Sequence, residues 1–213
     1  MTARSLRRDP WVWVGLAGAI AFVVLATLVV RRGGLAFDEP FSAWLRGLPV
    51  PTWFWEACTF LGGAILVAIG FALGLAALVA RRYRLVVIIA VVLIGSVLLT
   101  EAVKDLVMRQ RPPDPVTATI GYSFPSGHTL NSTATYGLLA VIAWRSRLPL
   151  GIRRVAVTIG VVVPILVGLS RIALGAHWPT DVLAGWLAGT AFVALGAVLI
   201  RLTGAMDPGD PEP

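Results

Sequence analysis

The chain holds one lysine, two histidines and seventeen arginines, and the rare residues stand in company. Lys104 is followed seven residues later by Arg111-Pro112. His128 closes the run Pro125-Ser126-Gly127-His128, and His177 lies between Ser170-Arg171 and Asp181. Three cations, Lys104, Arg111 and Arg171, with no carboxylate cage around them describe an anion site, and the forked guanidinium suits phosphate oxygens. Phosphate is therefore the expected ligand. Lys104 and Arg111 are two helical turns apart and share a face if their helix runs that far. Pro112 is expected to end it, because the residue before a proline disfavours the α region. Ser126 reads as an N-cap. Gly127 and His128 then fall in a first turn whose free N–H groups and dipole attract an anion, and the glycine permits close approach.

His177 and Asp181 are four residues apart and share a face if a helix begins near them, where Pro179 is tolerated. A carboxylate beside an imidazole fixes its tautomer and favours the cation that forms on attack. His177 is thus the expected nucleophile, supported by Asp181. His128, with no acid in its own motif, is the expected general acid that protonates the leaving oxygen. Taken singly, a membrane histidine is more often a polar bundle contact, and an arginine at a span end usually snorkels to the headgroups. The joint occurrence carries the reading. Arg109 reads as a headgroup contact, and Glu101 and Asp105 as groups that offset the cationic cluster or orient Lys104. With no HExxH, CxxC or clustered carboxylates on this side, no metal and no cofactor are expected.

The elements that must position these residues follow from composition. Of 213 residues, 57% are hydrophobic and 14% charged, with a mean hydropathy of +0.84. A soluble domain is nearer 45–50% apolar and about 25% charged, so the excess apolar surface requires lipid as its solvent. A disordered chain is excluded, and a single cysteine, Cys58, excludes an internal disulfide framework. The net charge of +7 does not describe a nucleic-acid module, because the charges punctuate apolar blocks instead of gathering on one solvated face.

A spanning helix needs about 20 apolar residues to cross roughly 30 Å of hydrocarbon. Six segments fit, near Trp11–Val30, Cys58–Ala80, Leu85–Val107, Ser126–Trp144, Ile152–Ser170 and Thr180–Leu202. The expected fold is an all-α polytopic membrane protein, a bundle of six transmembrane helices forming a single domain over 1–206, with a disordered tail over 207–213. The fourth segment carries Thr129, Asn131, Ser132, Thr133 and Thr135, as a helix facing a polar cavity would. The first, after Arg4, Arg7 and Arg8, reads as a retained helix and not a cleaved signal, since Arg31-Arg32 stand where small residues would be expected. Asp38–Trp55 reads either as an interfacial segment or as a loop tucked against the bundle.

With the N-terminus inside, eleven of the eighteen basic residues fall on the inner side and seven on the outer, three of those seven being site residues. The positive-inside rule then gives N-in and C-in. Under this topology all the motif residues fall at the outer ends of spans, although the motifs played no part in deriving it. The expected location is the cytoplasmic membrane, with the site facing the extracytoplasmic side.

These motifs resemble the signature of the type 2 phosphatidic acid phosphatase family, the lipid phosphate phosphatases: K-x6-R-P, P-S-G-H and S-R-x5-H-x3-D. Lys104, Arg111 and Pro112, then Pro125 to His128, then Ser170, Arg171, His177 and Asp181 match it without departure. The resemblance implies a metal-independent phosphatase. In it His177 forms a phosphohistidine, His128 protonates the departing group and then activates water, and Asp181 orients His177. Lys104, Arg111, Arg171, Ser126 and the Gly127 amide hold the phosphate oxygens. It implies a lipid phosphate as substrate, with undecaprenyl diphosphate ranked ahead of phosphatidic acid and phosphatidylglycerol phosphate, and membrane lipids as its surroundings. The alternative is a membrane anion or lipid transporter, or a silent lipid-phosphate binder. A pore would call for basic residues at several depths, whereas spans one, two, five and six are nearly free of charge inside.

Overall fold

The computed structural model describes residues 9–206, and among them the regular structure is entirely helical. In chain order the helices are α1 (Pro10–Arg32), α2 (Asp38–Arg46), α3 (Thr52–Phe60), α4 (Ile65–Val79), α5 (Tyr83–Val107), α6 (Gly127–Arg145), α7 (Leu150–Ala173) and α8 (Pro179–Thr203). The expected tail over 207–213, and Arg4, Arg7 and Arg8, lie outside the described residues.

Among the described residues, five stretches are long and apolar enough to cross a membrane: α1, α3 with α4, α5, α7 and α8. The fourth expected segment, α6, is not among them, because of the hydroxyl and amide side chains in its first half. It sits at the centre of the bundle, packed on α5, α7 and α8, with Leu130, Ala134 and Leu138 fully buried. Its hydroxyls are largely satisfied within the helix itself: Ser132 Oγ and Thr133 Oγ1 both donate to the Thr129 carbonyl. The outer helices show the reverse pattern. Val67, Phe71 and Val79 of α4 are each more than 70% exposed, as side chains in contact with lipid tails must be.

The start of the second span and the expected end of the third helix at Pro112 depart from the sequence reading, whereas the third span's end at Val107 is as read. The second expected span starts earlier, at Thr52, and is interrupted by turns from Leu61 to Ala64. A side chain on Gly62 would collide with Val167 of α7 and stand 3.4 Å from the His128 Cβ, so the bare backbone lets this break press against α6 and α7. The third span stops at Val107. Met108 takes a left-handed conformation (φ 47°) and its N–H returns to the Lys104 carbonyl, so the helix ends well before Pro112. Arg111 therefore stands on the connection between α5 and α6 and not on a helical face shared with Lys104.

The segment Asp38–Trp55 is tucked against the bundle, mostly as helix and not as loop. It folds into α2 and the start of α3, and Leu45 and Trp55 bury against Ile172, Leu174 and Val182 beside the end of α7.

Candidate active site

The ends of α5 and α7 and the beginnings of α6 and α8 meet at one end of the bundle, around a cavity of about 970 Å³. Lys104, Arg111, Gly127, His128, Arg171 and His177 all line it. Six motif residues from three separated stretches of chain thus face one space. The cavity continues between α4 and α5, where Leu66, Val67, Phe71, Leu93, Ile94 and Val97 form an apolar flank.

His177 precedes the first turn of α8 and is 3% exposed. Its Nε2 lies 3.2 Å from Arg111 Nη1. A guanidinium only donates, so Nε2 accepts, and the ring is the neutral tautomer with its proton on Nδ1. Nδ1 points toward Asp181 Oδ2 at 3.5 Å, close enough for an ion pair but without a formed hydrogen bond. Burial pushes the imidazole down to about 4 from its usual value near 6.5. Asp181 opposes that shift, while Arg111 and Arg171 reinforce it. At neutral pH the ring is therefore uncharged and its Nε2 lone pair faces the cavity.

The three cations are held in different ways. Arg111 is anchored by carbonyls: Nε donates to Gly121 O at 2.9 Å, Nη1 to Ala176 O at 2.7 Å, and Nη2 to Ile120 O and Tyr122 O. Burial lowers its guanidinium, and the Asp181 charge offsets part of that shift. Arg171 donates through Nη1 to Thr59 Oγ1 at 2.7 Å, while its Nε is buried without a partner. Lys104 Nζ donates to Glu101 Oε1 at 2.8 Å, so Glu101 does pair with it. A Cβ at Gly127 would come within 3.1 Å of Thr100 and 3.9 Å of Lys104 Nζ, so the glycine is what allows α6 to start this close to α5.

Two site residues sit behind the cavity wall. Ser126 occupies the N-cap position of α6, but its hydroxyl makes no capping bond. It accepts from Thr129 Oγ1 at 3.0 Å, it is fully buried, and it does not line the cavity. Asp181 is fully buried as well, and one of its oxygens accepts the Trp178 N–H across the first turn of α8.

Arg109 departs furthest from its sequence reading. It is no headgroup contact. It is 8% exposed and its guanidinium donates to Asp38, Thr180, Asp181 and the Gly33 carbonyl. The reason is charge balance: two buried carboxylates, Asp38 and Asp181, need a cation between them, and Arg109 provides it. Asp38, Thr59 and the Gly62-Gly63 break were also missed as parts of the site. The only available signals were an acidic pair, Asp38-Glu39, between apolar residues and a glycine pair inside a predicted span.

The chain is similar in sequence and fold to known proteins. A solved structure described as the first transmembrane PAP2-type phosphatidylglycerolphosphate phosphatase, from Bacillus subtilis, superimposes with a TM-score of 0.75 at 26% identity, covering 92% of this chain and 96% of that one. Phosphatidylglycerophosphatase B of Bacillus subtilis is 36% identical over 95 residues, 43% of this chain and 46% of that protein. Undecaprenyl-diphosphatase of Sulfolobus acidocaldarius is 32% identical over 133 residues, 58% of each. The chain thus spans about half the length of these two relatives. Decaprenylphosphoryl-5-phosphoribose phosphatase of Mycobacterium tuberculosis is 33% identical over 197 residues, 90% of each. The model of the PAP2 superfamily matches residues 85–203, more than half of the chain and all of the cavity's cationic and imidazole side chains. This chain belongs to the PAP2 superfamily, and the membrane relatives it matches are named as phosphatases of lipid phosphates.

Proposed function

We propose that the chain is a six-span, single-domain membrane phosphatase that removes phosphate from a lipid phosphate at the extracytoplasmic face, without a metal, through a phosphohistidine at His177. The observation that carries the lipid reading is the form of the cavity. Its cationic end runs into an apolar flank open between α4 and α5, so a phosphate held at headgroup depth would keep its hydrocarbon tail in the membrane. A channel is disfavoured by the same feature, since the basic residues gather at one end and do not extend along a path.

In this mechanism Lys104, Arg111 and Arg171 neutralise the phosphoryl oxygens, with the Gly127 N–H at the start of α6 adding a donor. His177 Nε2 attacks phosphorus and the bond to the leaving oxygen breaks. His128 gives that oxygen its proton, and the bound phosphate supplies the negative charge that a cation at His128 needs among three basic neighbours. Asp181 steadies the imidazolium side of the phosphohistidine. Water, deprotonated by His128, then attacks phosphorus and frees His177. Attack requires Arg111 to release Nε2, to which it now donates, and to turn that donor to a phosphate oxygen. Ser126 contributes by holding the first turn of α6, its buried hydroxyl being turned away from the cavity.

Undecaprenyl diphosphate remains the first-ranked substrate. The Mycobacterium tuberculosis relative, matched over most of both chains, adds a polyprenyl-linked phosphoribose to the panel. The test is release of inorganic phosphate in detergent, with a chelator present, from monophosphate and diphosphate lipids. The wild-type protein is expected to turn over at least one of them and His177→Ala none. Full activity in that variant, or turnover only on addition of a metal, would overturn the mechanism.

A further inference from the structure

Arg109 and Asp38 lie outside the family signature quoted above, and neither lines the catalytic cavity; both border a separate pocket of about 690 Å³. Substrate contact therefore does not explain them. Yet they form a densely bonded, buried charged cluster. Asp38 accepts from the Thr180 N–H at 2.9 Å, from Thr180 Oγ1 at 2.8 Å, from Arg109 Nη2 at 2.7 Å and from the Leu35 N–H at 3.1 Å. Arg109 uses its other nitrogens on Asp181 Oδ1, on Thr180 Oγ1 at 2.6 Å and on Gly33 O at 3.1 Å. Asp38 and Asp181 are 3% and 0% exposed. Three parts of the chain, the start of α2, the loop after α5 and the first turn of α8, are thus fastened together directly behind His177. A side chain at Gly34 would press on Arg109 Nη2 at 2.6 Å, so the turn before α2 is shaped around this guanidinium.

We infer that Arg109 and Asp38 are positioning residues for the nucleophile. Arg109 fixes the Asp181 carboxylate behind His177 and offsets part of its charge, and Asp38 limits how much of the guanidinium is available for that. This rests on the reading of His177 as nucleophile. An unpaired Asp181 would hold His177 too readily as a cation, which cannot attack. An Asp181 paired with Arg109 alone would give the phosphohistidine too little support. The shared guanidinium sets an intermediate value, and with a planar fork it can face both carboxylates at once.

The test follows kcat, KM and the ionisation of His177 in Arg109→Gln, Arg109→Lys and Asp38→Asn. The chain has two histidines, so the ring ¹⁵N spectrum of the protein in detergent micelles contains two sets of signals, assigned with His128→Gln. The other charged or titratable groups facing His177 are Asp181 from α8, Arg111 from the loop before α6, Arg171 from α7 and His128 from α6. All of them are retained in these three variants. Arg109→Gln is expected to raise the His177 midpoint from about 4 and to lower kcat about 10-fold or more, with KM within about twofold. Asp38→Asn is expected to move the midpoint the opposite way. Arg109→Lys keeps the charge but reaches only one carboxylate, and is expected to move the midpoint less than Arg109→Gln while still lowering kcat.

A midpoint unmoved in all three variants, or a rise in KM with kcat intact, overturns the inference. If Arg109→Gln fails to fold, Arg109→Lys decides: wild-type kcat and midpoint in that variant overturn it. His177→Ala, prepared alongside, separates the two levels. Phosphate release by that variant refutes the nucleophile itself. A dead His177→Ala beside wild-type behaviour in the Arg109 and Asp38 variants refutes only their positioning role.

Discussion

Gly185→Ala tests the idea that the contact between α6 and α8 sets the distance between the two imidazoles. α8 turns Gly185 and Gly189 toward α6, a pair of small residues one turn apart of the kind that lets helices approach in lipid. A Cβ at residue 185 would stand 2.8 Å from Thr129 Cβ, 3.0 Å from Ser126 O and 3.1 Å from Leu130 N, against 3.4 Å where ordinary contact begins. Two of those three obstacles are backbone of the first turn of α6 or its cap and cannot rotate aside. The helices must therefore part by about 0.6 Å, the difference between 3.4 and 2.8 Å. His128 rides on that turn of α6, and His177 and Asp181 stand at the start of α8. A misplacement of about 1 Å can cost on the order of 100-fold in rate, so a shift of this size is expected to lower kcat on the order of 10-fold. KM should stay within about twofold, because Lys104, Arg111 and Arg171 belong to α5, the following loop and α7. Overpacking costs about 1–3 kcal/mol and the alanine returns about 1 kcal/mol of helix propensity. At about 2–4 °C per kcal/mol the melting temperature should fall by at most about 8 °C. Phosphate-release kinetics beside a thermal melt in detergent measure both. Wild-type kcat in the folded variant, or a loss confined to KM, would refute the coupling.

Other outcomes follow from single contacts. Asp9 is 1% exposed, accepts the Trp11 N–H as the cap of α1 and pairs with Arg201 of α8 at 2.7 Å. Asp9→Ala should therefore destabilise the protein by about 1–2 kcal/mol, seen as a lower melting temperature with unchanged kcat. Glu101 competes with phosphate for Lys104, and an exposed pair is worth up to about 1 kcal/mol. Glu101→Gln should accordingly lower KM by up to about fivefold, and a raised KM would mean that Glu101 itself contacts the substrate. Because neutral His177 is the attacking form and its burial favours neutrality, kcat/KM should rise with pH through about 4, and because His128 must carry the proton it gives to the leaving oxygen, it should fall again at higher pH, so that the profile is a bell. An acid limb near 6.5 would place the ring in a far wetter environment than the structure gives it.

The spacing of charged residues and the length of apolar runs are local properties, and what rests on them was legible in the chain. The five apolar stretches, the helix starts near Ser126 and Pro179, and the grouping of Lys104, His128, Arg171 and His177 at one end of the bundle all follow from counting along the sequence. Hydropathy states which solvent a segment prefers but not which of its neighbours shields it. That is why α6, a central helix of the bundle, reads as the least apolar span. Arg109 reads from sequence like any arginine at a span end, and only the arrival of Asp38 from α2 and Asp181 from α8 makes it a buried cation.

The sequence by itself determined the chemical inventory: three cations, two imidazoles and one carboxylate, carried on helices that need lipid around them. Tertiary structure alone decided how that inventory is held. It left Arg111 on a loop bonded to carbonyls, turned the Ser126 hydroxyl away from the cavity, and closed α6 against α8 through bare glycines. The physical reason is range. A motif fixes residues within a turn or two of each other, whereas burial, ion pairing and helix separation depend on groups more than seventy residues apart that meet only when the bundle closes.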